Sequence, residues 1–128
     1  MILLDTCTLL WLELQPAKLS ENCRSILEYR TGPTFVSAIS AFEIGQKHAA
    51  GKLDLPLPPA IWLERICLVH DLIAIPVSVA HSFVAAQLPP HHRDPFDRLI
   101  VATAMTEPMK LLTADPMVAK YTSLAILI

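Results

Sequence analysis

The stretch ILLDTCTLLWLEL, residues 2–14, decides the predicted fold. Residues 2–4 form a short apolar run that ends at Asp5, and apolar residues in the segment that follows recur at helical spacing. A short apolar segment without alternation is typical of a strand buried on both faces of a parallel sheet. The stretch therefore predicts a strand that leads into a helix, with an acidic residue at the junction.

The rest of the chain repeats this alternation of strand and helix. Further strands are predicted at TFVS (34–37), LIAIPV (72–77), KLLTAD (110–115) and SLAILI (123–128). Further helices are predicted to begin near Ser20, Ser40, Pro59, Ser78 and Asp94. This order predicts an α/β protein with three layers, α/β/α, around a mostly parallel sheet of four to five strands. The length of 128 residues predicts one domain, 1–128.

Composition limits the classes of protein that the chain can belong to. An apolar fraction of 53% indicates a compact, well-buried protein, and a net charge of −2 excludes a broad basic surface for nucleic acid. A local basic rim remains possible, formed by Lys47, Lys52, Arg93 and Arg98.

No part of the sequence suggests a membrane protein. The longest stretch without Lys, Arg, Asp or Glu, residues 72–92, contains three prolines and does not suit a membrane span. The N-terminus has no basic leader, so no signal peptide is expected. The three cysteines show no C-x-x-C spacing, and we expect reduced thiols in a cytoplasmic protein.

Four acidic residues follow predicted strands or lie near the start of predicted helices: Asp5, Glu43, Asp97 and Asp115. In open α/β sheets, ligands bind outside the carboxyl ends of the strands. The fold therefore predicts that these four side chains converge on one crevice.

Each of these acids also suits a purely structural role. Asp94 before Pro95 is typical of a helix N-terminus, which places Asp97 in the first turn. Glu43 lies three residues after Ser40, as in a capping box, and Asp5 and Asp115 could cap the helices that follow them.

Capping alone does not explain why acids should gather. Ser, Thr and Asn cap helices about as well as Asp, whereas a close pair of like charges costs about 3 kcal/mol at an effective dielectric constant near 20. A divalent cation such as Mg²⁺ or Mn²⁺, which prefers carboxylate oxygens, supplies a reason. The neighbouring hydroxyls of Thr6, Ser40 and Thr113 could order ligands or water, or could serve as caps.

A family resemblance rests on four segments taken in order: DT at 5–6, SAFEIGQKHAAGKL at 40–53, HHRDPFDRLIVATAM at 91–105 and LLTAD at 111–115. With these segments the chain resembles the PIN-domain ribonucleases, and among them the VapC-type toxins of bacterial toxin–antitoxin pairs. The resemblance places the acidic quartet of the family on Asp5, Glu43, Asp97 and Asp115. Asp94 belongs to an RDPFDR variant found in part of the family, and its role stays open.

The resemblance also implies an activity and partners. The implied activity is cleavage of RNA that depends on Mg²⁺ or Mn²⁺. The implied partners are an RNA substrate, a second copy of the chain in a homodimer, and a small antitoxin protein that blocks the site.

Other classes of protein share some of these features. A phospho-receiver domain has a similar architecture, but it needs paired acids after the first strand and a lysine at the end of a late strand. Here Asp5 has no acidic neighbour, and Lys110 begins its strand. A phosphatase with an aspartyl nucleophile would need a second Asp two residues after Asp5, where this chain has Cys7.

A zinc site is a further alternative, because His91 and His92 lie near Asp94, and His70 precedes Asp71. We interpret His91 and His92 as exposed loop residues and His70 as the end of the helix from Pro59. A site dominated by carboxylates favours a harder ion than zinc.

Overall fold

The computed structural model describes residues 1–128 and contains a five-stranded sheet in which every neighbouring pair of strands is parallel. The strands are β1 (Ile2–Leu4), β2 (Thr34–Ser37), β3 (Leu72–Ile75), β4 (Lys110–Thr113) and β5 (Ala125–Leu127), and they lie in the order β3-β2-β1-β4-β5. The helices are α1 (Thr6–Leu14), α2 (Glu21–Glu28), α3 (Ala38–Ala49), α4 (Pro59–Val69), α5 (Val79–Gln87), α6 (Pro95–Thr106) and α7 (Pro116–Ala119). None of these helices combines the length and apolar character needed to cross a bilayer.

The side chains of β1 alternate between two hydrophobic cores. Ile2 and Leu4 pack with residues of α1, α2 and α4 on one face of the sheet, whereas Leu3 packs with residues of α6 on the other. Leu3 and Leu4 are fully buried. Helices thus cover both faces, and the predicted three-layer fold is confirmed, with a sheet that is wholly parallel.

The start of α1 is tied to the neighbouring strand β4. The backbone carbonyl of Leu112 accepts hydrogen bonds from the Asp5 amide, at 3.2 Å, and from the Thr8 hydroxyl, at 3.1 Å. Thr8 is fully buried, so its hydroxyl depends on this partner. The two bonds fix the direction in which the chain leaves β1 and therefore the position of Asp5.

The predicted start of α3 is wrong, because the helix begins earlier in the chain than expected. We expected the helix to begin at Ser40, with Glu43 in its first turn, but it begins at Ala38. Ser37, the last residue of β2, caps it by accepting the Ile39 amide at 3.1 Å. Because this hydroxyl satisfies the first turn, no loop is needed between strand and helix, and Glu43 lies in the second turn.

The loop between α5 and α6 is held from inside by Arg98, which corrects the prediction that this residue belongs to a basic rim. The loop contains two prolines, which offer no amide donor, so its carbonyls need donors from elsewhere. The Arg98 guanidinium donates to the loop carbonyls of Leu88, Pro89 and His92, at 2.8, 3.1 and 3.3 Å. It also donates to the carbonyl of Ala85 in the last turn of α5, at 2.8 Å.

Candidate active site

A cleft of about 460 Å³ lies at the carboxyl ends of β1 and β4. The chain progresses from β1 to β2 and β3 on one side and later returns to place β4 on the other side of β1, so the cleft is at the point where the strand order reverses. The charged side chains that line it are Asp5, Glu43, Asp94, Asp97, Asp115 and Lys47. The structure therefore brings together all four acids that the sequence singled out, and Asp94 with them.

Three of these acids do cap helices, but each uses one oxygen to do so. Oδ1 of Asp5 accepts the Thr8 amide at 2.8 Å, and Oδ1 of Asp94 accepts the Phe96 amide at 2.9 Å. Oδ1 of Asp115 likewise accepts the amide of Met117 at 2.8 Å. The Oδ2 atoms take no part in capping, so the structural and chemical roles of these residues do not exclude each other.

Glu43 is the acid with the least satisfied environment. Glu43 is only 8% exposed, and its Oε2 forms an ion pair of 3.1 Å with Nζ of Lys47 on the next turn of α3. Oε1 is buried without any hydrogen-bond partner. A buried carboxylate oxygen without a partner is costly, so this atom favours a cation in the cleft.

A histidine completes the group of side chains at the other side of the cleft. Nε2 of His92 lies 2.9 Å from Oδ2 of Asp115 and 3.0 Å from Oδ2 of Asp97. His91 is an exposed loop residue, as expected, and its ring packs on Tyr121 with the centroids 5.1 Å apart. The same expectation is wrong for His92, which is half-buried because its loop folds inward over the acids.

Burial in the cleft raises the pKa values of two aspartates. Burial raises the pKa of Asp97 to about 6, the negative charge of Asp94 adds to the rise, and His92 opposes it. Burial also raises the pKa of Asp5, against hydrogen bonding from Thr113 and Thr8. The metal-free cleft thus holds more negative charge than Lys47, the one basic side chain that lines it, can balance.

The three predicted supporting hydroxyls differ in what they contact. The Thr6 and Ser40 hydroxyl oxygens are 2.8 Å apart and both residues are buried, so the pair joins the start of α1 to α3 between Asp5 and Glu43. Thr113 accepts the Asp115 amide at 3.0 Å and orders the turn after β4. Ser40 is therefore not a helix cap.

The cysteines are not candidate ligands. All three are unpaired, and Cys7 alone among them lines the cleft. Burial raises the pKa of Cys7 to about 11, and it also raises the pKa values of Cys23 and Cys67. Protonated thiols are poor metal ligands.

The donor set fits a hard divalent cation. Carboxylate oxygens left free by capping surround the cleft together with the partnerless Oε1 of Glu43. Such oxygen donors suit Mg²⁺ or Mn²⁺ better than a softer ion.

The family model of the PIN domain matches residues 2–124. The chain belongs to the PIN-domain family. This PIN domain is also 33% identical, over 115 residues, to Ribonuclease VapC22 from Mycobacterium tuberculosis, an alignment that covers 89% of this chain and 86% of the relative. The family resemblance predicted from the sequence is confirmed.

Solved structures show the same fold at lower identity. The structure of FitAcB from Neisseria gonorrhoeae matches with a TM-score of 0.69 and 21% identity, covering 100% of this chain and 97% of the other. The structure of VapBC2 from Rickettsia felis, bound to a DNA fragment from its promoter, matches with a TM-score of 0.68 and 18% identity, covering 100% and 98%.

Sequence reasoning missed two contacts in this PIN domain. His92 was set aside as a loop residue, although its place two residues before Asp94 could have indicated proximity to the acids. Lys47 was assigned only to a rim, although its spacing of four from Glu43 on one helix predicts the ion pair that forms.

Replacing Asp97 with Asn should make the metal-free protein more stable near pH 7. The pKa of Asp97 is near 4 in the unfolded chain and about 6 in the folded chain. At pH values between these two, the folded chain binds more protons than the unfolded chain, so the free energy of unfolding rises as pH falls. Wild type should gain roughly 1 kcal/mol from this residue between about pH 7 and about pH 5. Asp97→Asn should lose that dependence in thermal unfolding across this range.

Asp94 provides the matched comparison in the same helix turn. Asp94→Asn keeps an oxygen that can accept the Phe96 amide, so stability should change little, whereas Asp94→Ala should lose roughly 0.5–2 kcal/mol. If Asp97→Asn destabilised the metal-free protein as Asp94→Ala does, Asp97 would be an ordinary first-turn helix acid.

Proposed function

We propose that this PIN domain is a ribonuclease that depends on Mg²⁺ or Mn²⁺ and acts as the toxin of a toxin–antitoxin pair. The observation that carries the proposal is the buried carboxylate of Glu43, with one partnerless oxygen, in a cleft with four further acids. The relative called Ribonuclease VapC22 supports the reaction type. Unpaired cysteines agree with a reducing cytoplasmic location.

Asp5, Glu43, Asp97 and Asp115 are the residues that would hold the ion. When bound, the ion lowers the pKa of a water molecule and neutralises charge that develops on the scissile phosphate. The hydroxyl pair of Thr6 and Ser40 joins the start of α1, which Asp5 caps, to α3, which contains Glu43.

Other side chains around the cleft suit a nucleic acid substrate. The Lys47 side chain is 46% exposed at the edge of the cleft, so its ammonium group can reach a phosphate. Phe42 is 58% exposed and packs edge-on against Phe96, with the centroids 5.5 Å apart. In sequence, Phe42 directly precedes Glu43 and Phe96 directly precedes Asp97. An exposed aromatic ring such as that of Phe42 is a suitable surface for an unstacked base.

Partners are proposed from the same comparisons. The structure of a toxin–antitoxin complex from Klebsiella pneumoniae matches with a TM-score of 0.66 and 17% identity over 98% of this chain. Large apolar side chains are exposed on α4 and α5, including Leu68, Val69, Val79 and Phe83. Exposed apolar area of this kind supports a homodimer and binding of an antitoxin.

A phospho-receiver function is not favoured. Lys110 lies at the first position of β4, at the opposite end from the cleft, so it cannot reach a phosphoryl group there.

Purified protein should cleave single-stranded RNA in the presence of Mg²⁺ or Mn²⁺ and stop when a chelator is added. Glu43→Gln should lower the rate by about 100-fold or more, because loss of a ligand charge removes several kcal/mol of stabilisation from the transition state. Asp54→Asn, which removes the same charge at an exposed site outside the cleft, should cleave like wild type. Full activity in excess chelator would refute the metal-dependent mechanism.

The partner proposal predicts a dimer in sedimentation at micromolar concentration and an antitoxin that places a basic side chain in the cleft. Combining Glu43→Gln with Asp97→Asn should therefore weaken antitoxin binding, whereas Asp54→Asn should not. Equal affinity for both variants would argue against the placement of a basic side chain, and a monomer would argue against the homodimer.

A further inference from the structure

His92 is held at four separate polar atoms. Its backbone amide donates to the Tyr121 hydroxyl at 2.7 Å, and its carbonyl accepts from the Arg98 guanidinium at 3.3 Å. On the ring, Nδ1 accepts the Asp94 amide at 3.1 Å and Nε2 bonds Oδ2 of Asp115 at 2.9 Å. A residue fixed at this many points has a defined orientation, which is unusual for a position in a proline-containing loop.

These contacts assign the tautomer of the ring. The Asp94 amide is a donor, so Nδ1 must present a lone pair, and the ring proton lies on Nε2. Nε2 therefore donates to Asp115. A histidine that binds a metal through one nitrogen normally carries its proton on the other and donates it to an acceptor. The contacts of His92 have the opposite arrangement, so its Nε2 is set up as a hydrogen-bond donor and not as a ligand.

We propose that His92 is a positioning residue for the ion-binding carboxylates, an inference that rests on the proposed function. Its Nε2–H holds Oδ2 of Asp115 and lies 3.0 Å from Oδ2 of Asp97. Asp97 belongs to α6, and Asp115 lies at the junction of β4 and α7, so no backbone element joins them directly. The imidazole makes this link, and it limits the rotation of the two side chains before the ion arrives.

Two substitutions separate the two contacts of the ring. His92→Asn retains an oxygen about as far from the backbone as Nδ1, so it can still accept the Asp94 amide, but it removes the donor to the carboxylates. His92→Gln retains an N–H donor at about the reach of Nε2 and removes the acceptor for Asp94. The measurement is the affinity for Mn²⁺ in the absence of RNA, which the electron paramagnetic resonance signal of the free ion reports.

We expect His92→Asn to weaken Mn²⁺ binding by roughly 10- to 100-fold, as for other partners of metal ligands. His92→Gln should bind within a few-fold of wild type. This rescue would not occur if the ring only held the loop, because Gln loses the loop contact and Asn keeps it. Thermal unfolding of both metal-free variants provides the check that each is folded.

Other results would overturn the inference in distinguishable ways. Equal and large losses in both variants would make the imidazole a direct ligand, and tighter binding by His92→Asn would make it a competitor of the ion. Wild-type affinity in both variants would leave His92 with no role at the site. Absence of Mn²⁺ binding by wild type would refute the proposed function itself.

A measurement on wild type keeps the inference testable if the variants do not fold. Long-range proton–nitrogen correlation spectra of the histidine rings report which nitrogen carries the proton. The His92 ring should show a protonated Nε2 and a bare Nδ1 both without Mg²⁺ and at saturation with Mg²⁺. Movement of the proton to Nδ1 on addition of Mg²⁺ would overturn the positioning role, because Nε2 would then be a ligand.

Discussion

Repulsion among carboxylates at one edge of the sheet is the constraint on which the rest of the cleft depends. The parallel strands β1 and β4 end side by side, so Asp5 and Asp115 line the same cleft, to which α3 and α6 add Glu43 and Asp97. Burial and mutual repulsion both disfavour the charged form of these carboxylates, as the raised pKa of Asp97 shows. Only a cation or a proton relieves both, and the partnerless Oε1 of Glu43 favours the cation.

The structure holds these acids in place with bonds that leave part of each carboxylate free. The Oδ1 atom accepts a backbone amide at a helix N-terminus in Asp5, Asp94 and Asp115, which fixes each side chain, and Oδ2 takes no part in the cap. Oδ2 of Asp115 is held instead by Nε2 of His92. The choice between a helix cap and a chemical site was therefore a false alternative for these residues. A cap of this kind is a means of orienting a ligand, because the backbone amide that it accepts belongs to the rigid start of a helix.

The sequence was sufficient for the fold and for the convergence of the acids, but not for the contacts that hold them. Uniformly apolar strands such as that at 2–4 predict a parallel sheet, and strand ends in such a sheet share one edge, so Asp5 and Asp115 could be placed together. The start of α3 was missed because Ser37 and Ser40 are equally good caps by type, and only the backbone decides between them. The positions of Arg98 and His92 were predicted wrongly because their partners are loop carbonyls and distant acids, which local sequence does not reveal.

The position of the ion is the most direct test of this account. Anomalous diffraction from crystals soaked in Mn²⁺ locates the ion without reference to activity or to any variant. The account predicts a peak within about 2.0–2.6 Å of carboxylate oxygens in the cleft, with Oε1 of Glu43 among the atoms that face it. A peak elsewhere on the protein, or a fully occupied ion that leaves Glu43 and Asp97 without contact, would contradict it.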